Sequence, residues 1–324
     1  MDKMGKLDKK DREILVLLDG NGRIPFSRIG KKVHLSKASV ALRVAKMQDG
    51  GIIRGYYAVI DSSRLGYSSF RVYVKFQHTN PAIETRIADF LQHERQVWWL
   101  GQLEGSWDIG FLVWVKSIYE FRTLWLKFLL EFRKYVQRSE FSVYAKLRHY
   151  RLDYILSDEP RRSRSAEVVG EGPQVGIDGR DRQILRILAR NGRMPVIEIA
   201  SRTGLTPAMV KYRLKNLLSN GVIQNFRPII AAEKLGYSLF KVDFQLEDMV
   251  KRAKLLEYLE GMPNLVYIDE TVGGGDLEAE FHVRDPQQFK QLMGKIKRQF
   301  SKIIRSYDYM VYSEVRKYLY FPED

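Results

Sequence analysis

The chain has 324 residues, 45% hydrophobic and 12% aromatic, which is enough for packed cores and excludes a disordered protein. Lys and Arg outnumber Asp and Glu 54 to 39, a formal charge of +15 that favours a polyanionic partner such as nucleic acid or an anionic membrane surface. With no cysteine, disulfides, thiol nucleophiles and thiolate metal sites are excluded. Met1-Asp2-Lys3-Met4-Gly5-Lys6 leads into charged helical sequence rather than an apolar signal core. The most apolar run, Trp125 to Leu130, is broken by Lys127 and ends at Glu131, so a soluble cytoplasmic chain with no membrane partner is expected.

In chain order, Asp8 with Asp11 three residues on predicts an N-terminal cap, and Ile14, Leu15, Leu17 and Leu18 supply the buried face of a first helix that Gly20-Asn21-Gly22 ends. A short helix follows across Phe26, Ile29 and Val33. A turn at His34-Leu35 and a cap at Ser36 then start a helix from Lys37 to Asp49. Two helices joined by so short a turn make a helix-turn-helix, whose second helix can enter a major groove. Beyond it, Phe70-Val72-Val74-Phe76, Val97 to Leu103, Ile109 to Val115 and Phe141-Val143 carry strand signals. Between them, Ile83-Ile87-Phe90-Leu91 and Phe121-Leu124-Phe128 carry the helical period. Strand, helix, strand, strand, helix, strand is the ferredoxin-like βαββαβ plan.

Residues 157 to 176 hold two Pro, three Gly and many charges without apolar period, and read as a linker. After it the sequence repeats at an offset of 170: Asn21-Gly22-Arg23-Ile24-Pro25 lies over Asn191-Gly192-Arg193-Met194-Pro195, and Leu65-Gly66-Tyr67-Ser68 over Leu235-Gly236-Tyr237-Ser238. After a two-residue slip, Gly105 to Asp108 meets Gly273 to Asp276, and Val143-Tyr144 meets Val311-Tyr312. In the second copy the turn is Gly204-Leu205, the cap Thr206, and Pro207 the first helical residue. The expected fold is α+β, a tandem repeat of winged helix-turn-helix plus ferredoxin-like domain. The expected boundaries are 1–62, 63–156, linker 157–176, 177–232 and 233–324.

Val40, Val44 and Met47, like Val210, Leu214 and Leu217, are spaced to face the module core. That leaves Ser36, Lys37, Ser39, Leu42, Arg43 and Lys46 in copy one, and Thr206, Met209, Lys211, Tyr212, Arg213 and Lys215 in copy two, as candidate DNA-contacting residues. Residues 1–55 carry 13 basic against 6 acidic groups and residues 177–227 carry 10 against 3. Each module is therefore +7, nearly the whole net charge, which argues for nucleic acid and against a diffusely basic surface. Gly273-Gly274-Gly275 lacks a following Lys-Ser/Thr pair, so it reads as a tight strand connection rather than a phosphate loop. The five His are scattered, no metal-ligand spacing appears, and no metal, cofactor or catalytic residue is expected.

Each half resembles the Lrp/AsnC (leucine-responsive and asparagine-synthesis regulator) family. The likeness rests on Leu7-Asp8-x-x-Asp11-x-x-Ile14-Leu15, Asn21-Gly22-Arg23, Leu35-Ser36-x-x-x-Val40-x-x-Arg43, Gly51-Ile52-Ile53 and Gly105-x-x-Asp108, with their copy-two equivalents. It implies a sequence-specific transcription regulator, with double-stranded DNA and the transcription machinery as partners. It also implies a dimer-forming sensor domain that takes an effector such as an amino acid near Gly105, Trp107 and Asp108, and near Gly273, Gly274, Gly275 and Asp276. Fusion of two units leaves two assemblies open, a homo-oligomer or an intramolecular pseudo-dimer. Trp107 against the glycine triplet implies that the two sensor turns are not equivalent. A rival function, decarboxylation of sirohaem-type tetrapyrroles, belongs to fused proteins of this same architecture, but the Tyr-Asn-Leu-Phe-like strand associated with them is missing here.

Overall fold

The structure, a computed structural model, describes residues 7–155 and 166–322. Copy one opens with α1 (Lys9–Gly20), α2 (Phe26–Val33) and α3 (Lys37–Asp49). Asp8 and Asp11 form the capping box foreseen for α1, Ser36 caps α3 by accepting from Ser39 N, and His34 ends α2 at φ 57°. The wing strand β1 (Ile53–Ile60) leads into the ferredoxin-like part: β2 (Ser68–Phe76), α4 (Pro81–His93), β3 (Val97–Gly105), β4 (Ile109–Val115), α5 (Ile118–Phe132) and β5 (Val136–Tyr150). A short strand, β6 (Ala166–Val169), precedes the second module of α6 (Gly179–Arg190), α7 (Val196–Thr203), α8 (Pro207–Ser219) and wing β7 (Ile223–Ile230). Copy two ends with β8 (Ser238–Leu246), α9 (Arg252–Glu260), β9 (Leu265–Val272), β10 (Leu277–Val283), α10 (Pro286–Phe300) and β11 (Ile304–Tyr318).

Within each copy the four ferredoxin-like strands lie in the order β5-β2-β4-β3 or β11-β8-β10-β9. The fourth strand of each is long and changes partner midway. Residues 136–143 of β5 pair with β2, and residues 143–149 cross to β9 of the other copy. Likewise β11 pairs first with β8 and then with β3. Eight strands thus close on themselves, and the sheet edges that would template aggregation are spent on joining the two copies. Helices α4 and α5 cover the outside of one half through Val72, Leu100, Phe111 and Phe128, and α9 and α10 cover the other through Val242, Ile268, Phe281 and Ile296. The pseudo-dimer therefore forms inside one chain.

The wings are exchanged. β1 pairs antiparallel with β7, and Ala58 and Ile60 of copy one sit in the core of the second helical module with Ile184 and Leu188. The reading of residues 157–176 as a plain linker needs correction in its second part. Residues 156–165 lie outside the described residues, but Ala166–Val169 adds to the edge of β5, and Glu167 is buried. The strand forms because β2 leaves one edge of β5 after Val143, while β9 holds the other, and the backbone groups of that freed edge need a partner, a tertiary circumstance that local composition does not carry.

Candidate nucleic-acid interface and sensor turns

In both helical modules the apolar stripe points inward as its spacing requires: Val40, Val44 and Met47, and Val210, Leu214 and Leu217, are buried. On the opposite side Lys37, Leu42 and Lys46, and Met209, Lys211, Tyr212 and Lys215, are exposed. Leu42 at 59% and Tyr212 at 67% exposure are large apolar groups held in solvent by a well-packed helix, as expected of groups that meet a partner. Ser36 and Thr206 cap their helices, accepting from Ser39 N and Met209 N, and stay exposed. The Ser39 hydroxyl lies 2.9 Å from that of Ser36.

Arg43 and Arg213 behave differently from the expectation that they reach toward DNA. Arg43 Nη1 donates to Asp8 Oδ2 and Asp11 Oδ1, both at 2.7 Å, and Arg213 Nη1 does the same to Asp178 and Asp181 at 2.8 Å. These are the capping-box carboxylates of α1 and α6, so each guanidinium ties the recognition helix to the first helix. The hydrogen bonds that Arg43 donates to Asp11 and then Asp8 hold it above its ordinary pKa. Arg43→Ala and Arg213→Ala should each weaken DNA binding by about 1 kcal/mol, roughly fivefold, evenly across DNA sequences. Binding selections on the variants check this; a loss confined to one base position would restore base reading by the guanidinium.

The two modules are clasped reciprocally. Arg23 donates to the carbonyls of Gly192 (2.8 Å) and Met194 (3.0 Å), while Arg193 donates to those of Gly22 and Ile24. Gly192 N donates to Tyr56 O at 2.7 Å, and a Cβ at Gly192 would fall 2.7–2.8 Å from the Tyr57 backbone. The Asn-Gly-Arg signature of each copy is therefore the docking element against the other copy's wing, and it fixes the relative placement of α3 and α8.

The two turns expected to take an effector join β3 to β4 and β9 to β10. Asp108 accepts from Phe76 N at 2.6 Å and Lys75 Nζ at 2.7 Å, and Asp276 accepts from Leu246 N at 2.7 Å. Both aspartates thus pin their turn to the neighbouring strand. Gly105 ends β3, and Trp107 is buried against Tyr73 with the Arg138 guanidinium 4.4 Å from its ring. The second turn is built otherwise. Gly275 N donates to Glu278 Oε1 at 3.0 Å, and a Cβ at Gly274 would overlap the Glu278 carboxylate.

Glu278 belongs to a charged cluster between the two halves of the closed sheet, which the sequence analysis did not find. Arg71 of copy one donates to both Glu278 oxygens at 2.5 and 2.7 Å, Lys241 donates to Glu278 at 2.5 Å, and all three are 0–1% exposed. Asp243 pairs with Lys241, and Asp269 lies 3.6 Å from Arg71. Glu280 accepts from the Tyr312 hydroxyl at 2.8 Å, and burial together with the Asp269 charge pushes its pKa up to about 8. Because the folded value lies above the ordinary 4.5, the folded chain keeps a proton that the unfolded chain releases, and stability falls as pH rises from about 4.5 to 8. Glu280→Gln should flatten that fall, measured as denaturation midpoints at pH 5 and pH 8; an unchanged slope would contradict the assignment. Among the described residues no cluster of His, Cys, Asp and Glu suits a metal ion, and no helix is long and apolar enough to cross a membrane.

The AsnC-type helix-turn-helix domain pattern matches residues 7–48, and the winged helix-turn-helix DNA-binding pattern matches residues 177–224. The HTH-type transcriptional regulator LrpA of Pyrococcus horikoshii is 38% identical over 34% of this chain and 77% of its own length. The HTH-type transcriptional regulator FL11 of the same organism is 30% identical over 38% of this chain and 83% of its own. The chain belongs to the Lrp/AsnC family. Such relatives correspond to about one unit of this two-unit member. In overall fold the siroheme decarboxylase NirDL superposes on 95% of this chain and 92% of its own with a TM-score of 0.64, at 15% identity. That likeness shows a shared overall fold, and the family's winged helix-turn-helix plus ferredoxin-like plan accounts for both halves.

Proposed function

We propose that the protein is a sequence-specific DNA-binding transcription regulator in which one chain does the work of a dimer. The observation that carries this is the pair of exposed recognition helices, α3 and α8, each on a +7 module and locked to one another by the Arg23 and Arg193 clasp. DNA contact is assigned to Ser36, Lys37, Ser39, Leu42 and Lys46, and to Thr206, Met209, Lys211, Tyr212 and Lys215. Arg43 and Arg213 position those residues. The sensor turns at Gly105, Trp107 and Asp108 and at Gly273, Gly274, Gly275 and Asp276 are assigned to effector response. The second is restrained by Glu278, which already accepts from its backbone. No enzymatic role is assigned; uptake of a tetrapyrrole by the purified protein, read by its visible absorbance, would reverse that.

Unlike helices read unlike half-sites. Where copy one presents Ser39, Ala41 and Leu42, copy two presents Met209, Lys211 and Tyr212, so the bound site should be asymmetric rather than palindromic. Selection from random DNA should return such a site, and Tyr212→Ala should change preference in one half only. If both modules neutralise phosphates, log K should fall with log salt at about 0.9 per phosphate contacted. A short perfect palindrome read identically after α8 is altered, or a flat salt response, would defeat this function.

A further inference from the structure

A cavity of about 120 Å³ lies between the wing strand β1 and the inner face of the closed sheet. Its walls are flat rings: Trp98 stacks on Trp114 at 4.8 Å, Tyr57 on Tyr320 at 3.8 Å, and His149 on Tyr267 at 4.3 Å. Charge is scarce there. Lys146 is paired with Glu171, and His149 is held well below its ordinary pKa by burial and the Arg227 charge, so it is neutral. Trp98 Nε1 is already spent on Ser69 Oγ at 3.0 Å.

The repeat shows what belongs in such a place. At an offset of 168, Trp98 and Trp114 correspond to Val266 and His282, and the residue after β5 that corresponds to Pro322 is Tyr154. In copy two Tyr154 is buried with Tyr237 and Val266, and its hydroxyl lies 2.6 Å from His282 Nδ1. One phenol ring therefore fills copy two's position from within the chain. In copy one the residue at that point is Pro322, which has no aromatic ring to offer and does not line the cavity.

We infer that the copy-one cavity is a binding site for a small neutral aromatic molecule of about one ring, which meets Tyr67, Trp98 and Trp114, the counterparts of the Tyr237, Val266 and His282 that meet Tyr154 in copy two. The volume suits this, since a dry apolar cavity of about 150 Å³ binds benzene. The wall formed by β1 gives the ligand a route to the DNA-binding part, because Ala58 and Ile60 border the cavity and also lie in the core of the second helical module. That coupling, unlike the binding itself, rests on the regulator reading above.

The test uses 4-bromophenol with the full chain. At about a hundredfold excess over Kd it should raise Tm by roughly 5 °C, and anomalous scattering from soaked crystals should place one bromine in the cavity. Val169→Trp and Ser69→Trp, which enlarge cavity-lining side chains on β6 and β2, should each abolish both signals, and Tyr154→Ala should raise the stoichiometry from one to two. No bromine in the cavity, or a Tm rise that survives both filling variants, overturns the site. Saturating probe should also change affinity for the selected DNA at least threefold, and an unchanged affinity overturns the coupling. Should the chain bind no DNA, the regulator reading fails, while thermal and crystallographic signals still decide the site.

Discussion

Arg227→Ala is expected to destabilise the protein by about 3–5 kcal/mol, because it strips the cation from a buried ionic junction and leaves two carboxylates behind. Arg227 is 1% exposed on β7. Its guanidinium donates to Asp19 of α1 at 2.5 and 3.0 Å, to Glu167 of β6 at 3.1 Å and to Tyr150 O at 3.1 Å. Burial opposes its charge, and Asp19, Tyr57 and Glu167 more than offset that, so its pKa is raised. One side chain thereby joins the first helical module, the second wing, the end of β5 and the segment between the copies. Urea unfolding of the variant measures the loss, and replacing Arg227, Asp19 and Glu167 together with apolar residues should recover most of it. A single-variant loss under about 1 kcal/mol would show that the junction is solvated and unimportant.

Arg71→Ala should cost a similar amount, about 3–5 kcal/mol, with a different signature. Its partner Glu278 lies in the other copy, so the lost pair is one that docks the two halves of the closed sheet. Equilibrium unfolding should become less cooperative, with the two copies melting apart and probes in each half no longer coinciding. Lys241→Ala is the control, since Lys241 shares a copy with Glu278 and Arg71 would still span the interface. If both variants lose equal stability and both remain two-state, the cluster does not hold the copies together. The nearby aromatic contacts of Trp99, Trp107 and Tyr73 around Met310 would then carry the docking.

By itself the sequence determined the elements whose signals are local. Caps at Asp8, Ser36 and Thr206 stand where a short polar side chain precedes an amphipathic run, and the stripe through Val40, Val44 and Met47 is buried as its spacing demands. The period-two runs of β2, β4, β8 and β10 form strands at those positions. The repeat itself fixed the tandem plan. What the tertiary structure decided involves partners far apart in the chain. Leu277-Glu278-Ala279-Glu280-Phe281-His282-Val283 has the alternation of a strand with one solvated face, yet its polar face is shut inside the closed sheet, where Arg71 and Lys241 supply the countercharges. Hydropathy registers that a residue is charged; it does not register that the countercharge arrives from a strand about 200 residues away. The same reason hid the exchanged wings, the strand at 166–169, and the true engagement of Arg43, which sequence placed on an outward helical face and folding drew back to Asp8 and Asp11.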